Sequence, residues 1–213
     1  MAARTVRAYV GLGANVGDAE RTLAEAVVAI AHLPGVHLRG VSRLYATAPV
    51  GVTDQPEFRN AVVALDVPAG ATPADGAVAF LAALKGLERD FGRRPRGRWG
   101  PRELDLDLLV FGRARLAVDR PPGARSIDGD ADPARAARLL EVPHRDARER
   151  LFVLAPLADL APGLVPPGWG ETVATARRRQ VEREGPAAAR EVGAWDAART
   201  GWSRARGSRS QPR

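Results

Sequence analysis

The sequence predicts an α+β fold, a ferredoxin-like α/β sandwich with a largely antiparallel sheet and helices packed on it. Apolar runs of strand length and stretches of helical period follow one another as strand, helix, strand, strand, helix, strand, the order of the split βαβ unit. Two of these stretches carry an apolar stripe at helical spacing, and Gly, Pro or polar clusters punctuate the segments.

Residues 6–12 read as a buried strand that runs into Gly11-Leu12-Gly13-Ala14-Asn15. A helix follows over residues 18–32, with Leu23, Ala26, Val27, Ile30 and Leu33 on one face and Pro34-Gly35 as its stop. Residues 36–46 form a second strand and 60–67 (NAVVALDV) a third. Thr72-Pro73 opens a second helix to about residue 91, its stripe made by Val78, Leu81, Leu84 and Leu87. An arginine-rich loop over 92–102 leads into a strand at 103–111. Residues 119–138 are rich in Pro, Gly, Asp and Arg and read as a surface insertion. Order returns at 139–144 and 152–160, and a short helix at 172–179 closes a domain spanning residues 1–180. Residues 181–213 are expected to be a basic, disordered tail, mobile beyond Gly185.

Composition removes several function classes. Hydrophobic residues make up 45% of the 213, enough for a real core, and there is no cysteine, hence no disulfide framework or thiolate metal site. No apolar run approaches the roughly 20 residues of a membrane span, and the N-terminus lacks a secretory pattern. The expectation is a cytoplasmic monomer. The net charge of +7 is concentrated at the end: residues 176–213 hold 10 arginines against 4 acidic residues, and the rest of the chain is close to neutral. Lys85 is the sole lysine, so the arginine excess reads as biased base composition. Nucleic acid is not expected as a partner.

The most informative stretch is Leu104-Asp105-Leu106-Asp107-Leu108. On a strand the two aspartates share one face and the three leucines the other, which belongs to the core. Two carboxylates so close repel unless a cation lies between them, and magnesium takes one or two carboxylates together with waters and phosphate oxygens. The spacing by itself is common, and it equally fits a solvated face on which both aspartates pair with arginines. The loop before it shifts the balance. Arg93, Arg94, Arg96, Arg98 and Arg102 crowd into it, and guanidinium forks match phosphate oxygens. An acidic pair beside such forks suits phosphoryl transfer. Trp99 either stacks on a base or anchors the loop.

RWGPRELDLDLLVFG resembles the signature R-W-G-P-R-x-L-D-L-D of the 6-hydroxymethyl-7,8-dihydropterin pyrophosphokinase family. YVGLGANVGD, SRLYATAPVGVTDQPEFRNAVVAL and VPHRDARERLFVLAPLADLAP resemble its other segments, in the right order. The resemblance spans residues 6–175 apart from the insertion. It implies transfer of the β,γ-pyrophosphoryl group of ATP, the co-substrate, to the pterin hydroxymethyl oxygen with release of AMP, in folate biosynthesis. It implies two Mg2+ ions held by Asp105 and Asp107. It places Glu88, Arg93, Arg98, Trp99, Arg102, His144 and Arg150 on the nucleotide side, Arg93 and Arg102 among the catalytic groups. Thr47, Val50, Phe58, Asn60 and Phe152 fall on the pterin side, the two phenylalanines sandwiching the bicycle and Asn60 pairing with its amide edge.

Three departures stand out: the loop is about one residue short of the usual form, Arg145 replaces a common aromatic, and Ala48 a common proline. Gly11, Gly13 and Gly17 lack the spacing of a dinucleotide fingerprint and read as a tight strand-to-helix turn. Rival readings are a metal-dependent nucleotidyltransferase or nuclease using the same Asp-x-Asp pair, or an RNA-binding module on a ferredoxin-like sheet. The RNA reading is weakened by an aromatic content of 5%.

Overall fold

The structure is a computed structural model and describes residues 4–49, 51, 53–94, 100–121, 124 and 136–204. Its main sheet is built on two long central strands, β1 (Thr5–Ala14) and β4 (Phe58–Pro68), paired along their whole length. β5 (Asp105–Phe111) flanks β1 on the outside. β2 (His37–Val41) and β3 (Leu44–Thr47) lie end to end along the other side of β4. Every pairing in this sheet is antiparallel, as the ferredoxin-like expectation requires. β6 (Leu116–Asp119) and β7 (Arg138–Val142) form a separate hairpin. The stretch read as a surface insertion joins these two strands, and an Arg138–Asp119 ion pair of 2.8 Å closes its base.

α1 (Ala19–Ala31) and α2 (Pro73–Asp90) cover one face. Asp18 caps α1 by accepting from the Arg21 N–H. α2 opens with a full capping box, Thr72 and Asp75 each bonding the other's backbone N–H. Beneath them lie Val10, Leu12, Val63, Leu65, Leu104, Leu106 and Leu108, so the leucine face of the acidic stretch is core, as predicted.

The opposite face is also covered, by α3 (Leu151–Leu160) and α4 (Val173–Glu184), over Tyr9, Val62, Ala64, Leu109 and Val110. Strands buried on both faces read as continuous apolar runs, which is why 60–67 lacks alternation.

The single strand expected over 36–46 is broken. Between the pairs Val41↔Val63 and Tyr45↔Asn60 it carries one residue more than β4. Ser42 absorbs the bulge: its Oγ accepts from the Val62 N–H at 2.9 Å and donates to the Arg43 carbonyl.

The expectation of a disordered tail is corrected over residues 181–204. α4 runs on to Glu184, and β8 (Arg190–Asp196) and β9 (Gly201–Arg204) form a hairpin that pairs with β3 and extends the sheet. Trp195 and Trp202 meet edge to face at 4.8 Å, and Trp202 Nε1 donates to the Ser42 carbonyl at 2.9 Å. Two indoles supply the apolar area that an Ala/Arg/Gly composition otherwise lacks. Residues 205–213 lie outside the described residues.

Candidate active site

The register of the sheet assembles the site. Gly13 of β1 stands opposite Asp105 on one side and Asn60 on the other, and Asn60 stands opposite Tyr45. One step along, Gly11 stands between Asp107 and Val62. Residues directly opposite share a face, so Asp105, Asp107, Asn60 and, by alternation, Phe58 and its partner Thr47 lie on one side of the sheet. With strands about 4.8 Å apart, Asp105 and Asn60 are separated by roughly 10 Å across a floor that has no side chain at Gly13. Gly11 and Gly13 are thus inside β1, which corrects their reading as a turn; Gly17, at φ 63°, is the residue that turns the chain.

Charged groups gather where β5 begins. β5 is the outer strand, and at Leu106 both backbone groups point away from β1. The N–H donates to Glu88 Oε1 at 2.7 Å, and the carbonyl accepts from Lys85 Nζ at 2.8 Å. Lys85 also bonds Glu88 at 2.6 Å and lies 4.0 Å from Asp107 Oδ1. Arg93 Nη1 reaches Glu88 Oε2 at 2.5 Å and Asp105 Oδ1 at 2.6 Å. Glu88 is buried, and burial raises its pKa against the pull of Lys85. For Asp107, burial works upward, but His144, Lys85, Arg150 and Arg93 outweigh it and hold the carboxyl below its ordinary value.

A bulge in β5 places the next group. Tyr9 pairs with Val110 and Val10 with Leu108, leaving Leu109 extra, and its carbonyl accepts from the His144 N–H at 2.8 Å. His144 Nδ1 accepts from the Asp146 N–H at 3.4 Å. Arg150 Nη2 donates to Asp146 Oδ2 at 2.6 Å, and its guanidinium sits 5.6 Å above the Phe152 ring. Arg145, where an aromatic is usual, pairs with Glu141 at 2.9 Å.

The neutral half is built differently. Thr47 and Asn60 are buried, and Asn60 Nδ2 donates to Thr47 Oγ1 at 2.8 Å. Phe58 and Phe152 are half-buried. Arg102 is placed by its backbone: its N–H donates to Asn15 Oδ1 at 2.8 Å, and its carbonyl accepts from the Asn15 N–H at 3.0 Å. The Asn15 amide also donates to Gln55 Oε1 and the Pro56 carbonyl, tying the segment before β5 to the one before β4.

Of the residues singled out in the sequence, Arg98, Trp99 and Val50 lie outside the described residues. The structure brings Glu88, Arg93, Asp105 and Asp107 into one network and His144, Arg150 and Phe152 into a second beside it. Thr47 and Asn60 pair on the same sheet face. Sequence reasoning passed over Asn15 and Lys85. Asn15 carries no local signal. Lys85 had two: it is the only lysine, and it stands three residues before Glu88 at helical spacing.

Among the described residues no group of three or more His, Asp or Glu side chains is placed to hold a metal. The acidic pair nevertheless fits magnesium: two hard oxygen donors share one face, with side chains 33% and 40% exposed and thus open to an incoming phosphate.

The sequence profile of the 7,8-dihydro-6-hydroxymethylpterin-pyrophosphokinase family matches residues 9–162. The 2-amino-4-hydroxy-6-hydroxymethyldihydropteridine pyrophosphokinase of Pseudomonas aeruginosa is 40% identical over 158 residues, 74% of this chain and 82% of that one. Its namesake in Bacillus subtilis is 35% identical over 153 residues, 72% and 77% of the two chains. In the crystal structure of Plasmodium falciparum HPPK-DHPS, 97% of this chain superposes with a TM-score of 0.70 on 51% of that chain. At 13% identity this speaks for the fold alone. Among the described residues no helix is long and apolar enough to cross a membrane. Sheet topology, the acidic pair and these relatives agree, and the chain belongs to the 7,8-dihydro-6-hydroxymethylpterin-pyrophosphokinase family.

Proposed function

We propose that the protein is a 2-amino-4-hydroxy-6-hydroxymethyldihydropteridine pyrophosphokinase, which transfers pyrophosphate from ATP to the hydroxymethyl group of 6-hydroxymethyl-7,8-dihydropterin in folate biosynthesis. The observation that carries this reading is the row Asp105–Gly13–Asn60, which sets an acidic pair and a buried amide on one sheet floor. The pterin oxygen attacks the β-phosphorus, the bond from that phosphorus to the α,β-bridging oxygen breaks, AMP leaves, and the hydroxyl proton passes to solvent.

Asp105 and Asp107 would hold two Mg2+ ions, whose charge would offset that of the phosphates. Arg93 and Glu88 fix Asp105 from behind. His144, Arg150 and Arg102, with Arg98 and Trp99 from the loop, take the nucleotide. Asn60 keeps its carbonyl and its second N–H for the pterin edge, the donor–acceptor pattern that a fused amide presents. Thr47, Val50 and the rings of Phe58 and Phe152 complete that side. A single chain carries every residue this reading uses, so a monomer suffices.

The test is AMP formation from ATP and magnesium, with and without 6-hydroxymethyl-7,8-dihydropterin. Pterin-dependent AMP, matched one for one by pterin diphosphate, is expected. AMP release that ignores the pterin would overturn the assignment.

A further inference from the structure

Of the 32 basic residues in this chain, Lys85 alone is a lysine, and its surroundings ask for one. Two acceptors bond its Nζ, Glu88 Oε1 at 2.6 Å and the Leu106 carbonyl at 2.8 Å, and a third oxygen, Asp107 Oδ1, lies at ion-pair distance, 4.0 Å. An ammonium carries three donors on one atom and can turn them toward such a set. A guanidinium spreads five donors over three nitrogens in a fixed plane.

Two of those three contacts grip the strand. Lys85 and Glu88 bond the carbonyl and N–H of Leu106, the residue between the two aspartates, and so act as the missing neighbour strand on the open edge of β5. The third direction leads to Asp107. Unit charges about 4 Å apart near a protein surface interact strongly enough to move an equilibrium constant by more than tenfold. Without a cation, the Asp105–Asp107 pair would repel itself. Arg93 answers the charge of Asp105 at 2.6 Å, and Lys85 stands 4.0 Å from that of Asp107.

We infer that Lys85 is a positioning residue and a built-in counter-ion: it holds positive charge beside Asp107 and keeps the acidic strand in place until a nucleotide brings the metal. The inference rests on the reading of Asp105 and Asp107 as the metal pair. Its consequence is a site that takes up a divalent ion poorly by itself and well as a metal–nucleotide complex, because the phosphates supply the negative charge that Lys85 has offset.

The experiment titrates the full-length, nucleotide-free protein with Mn2+, reading free Mn2+ by electron paramagnetic resonance. Lys85→Gln keeps an N–H for Leu106 or Glu88 and removes the charge. It is expected to bind Mn2+ at least about tenfold tighter than the wild type. An affinity that is unchanged or weaker would overturn the inference. Repeating the titration with a non-hydrolysable ATP analogue, on wild type and Asp107→Asn, separates the two claims. Loss of Mn2+ uptake in Asp107→Asn upholds the metal pair whatever Lys85→Gln does; equal uptake would sink the metal reading itself. Should Lys85→Gln fail to fold, the folded wild type can be acetylated, since Lys85 offers the only side-chain amine in the sequence. Peptide mass then reports modification of Lys85, and the same tightening of Mn2+ binding is expected; its absence overturns the inference.

Discussion

The two ends of the sheet floor solve the same problem by opposite means. At the acidic end, side chains are held by charge: Arg93 on Glu88 and Asp105, Arg150 on Asp146, Lys85 on Glu88. At the amide end, Asn60 and Thr47 are held by one neutral hydrogen bond in a buried setting. Clustered charges are costly unless matched, so they come in sets that a sequence displays. Neutral donors and acceptors need a single partner each, and a sequence shows them as ordinary polar residues of a strand.

Bracing follows the same division. Behind the acidic end, α4 clamps the turn that carries Arg150. Gln180 Nε2 donates to the Glu149 carbonyl, Arg179 reaches the Arg148 carbonyl, and Glu184 accepts from the Leu151 N–H. Behind the amide end, β8 pairs with β3 through backbone bonds.

Three substitutions test this contrast. The largest effect is expected for Asp107→Ala. Its side chain is partly exposed, so the fold should survive with little change in thermal unfolding, while turnover falls by at least on the order of 10³-fold. An active Asp107→Ala enzyme would remove the charged end from the chemistry. Asn60→Leu comes next. It deletes the amide while keeping its branched skeleton, and the KM for the pterin should rise about 10- to 100-fold, corresponding to about 1.5–3 kcal/mol, with the KM for ATP nearly unchanged. A joint rise in both would show that the two ends are not separate.

The smallest effect tests charge bracing through pH. Glu171 accepts from Arg179 and Arg148, which hold its carboxyl below the ordinary value. A depressed folded pKa contributes stability that is present above the unfolded value, near 4.5, and is lost as the pH falls through the folded one. Glu171→Gln should therefore cost about 1–2 kcal/mol at pH 7, and the difference from wild type should shrink in acid. Thermal unfolding across pH 3 to 7 decides it; a gap that persists in acid would mean that the brace is not electrostatic.

The legibility of the sequence followed local pattern. α1, α2 and the alternation around Asp105 and Asp107 were readable because each depends on residues near in sequence. α3 was read as ordered without being assigned a type: LFVLAPLADL is apolar on nearly every side and contains Pro156, so it shows no stripe. The β8–β9 hairpin was lost to composition, because its partners are β3 and Ser42, about 150 residues earlier in the chain. The same holds for the site. The acidic pair and the arginines stood out, whereas Thr47, Phe58 and Asn60 depend on strand register and Phe152 on the docking of α3, and all four came only through family resemblance.

Gly13 gives this architecture an evolutionary consequence. A methyl group there would crowd Asn60 Oδ1 at 3.3 Å and merely touch Asp105 Cβ at 3.9 Å. A lineage can vary many positions of the floor without moving the Asn60 amide. A heritable change at Gly13 has no such freedom, because the added carbon meets that amide oxygen directly. A residue without a side chain thus limits how the buried amide beside it can evolve.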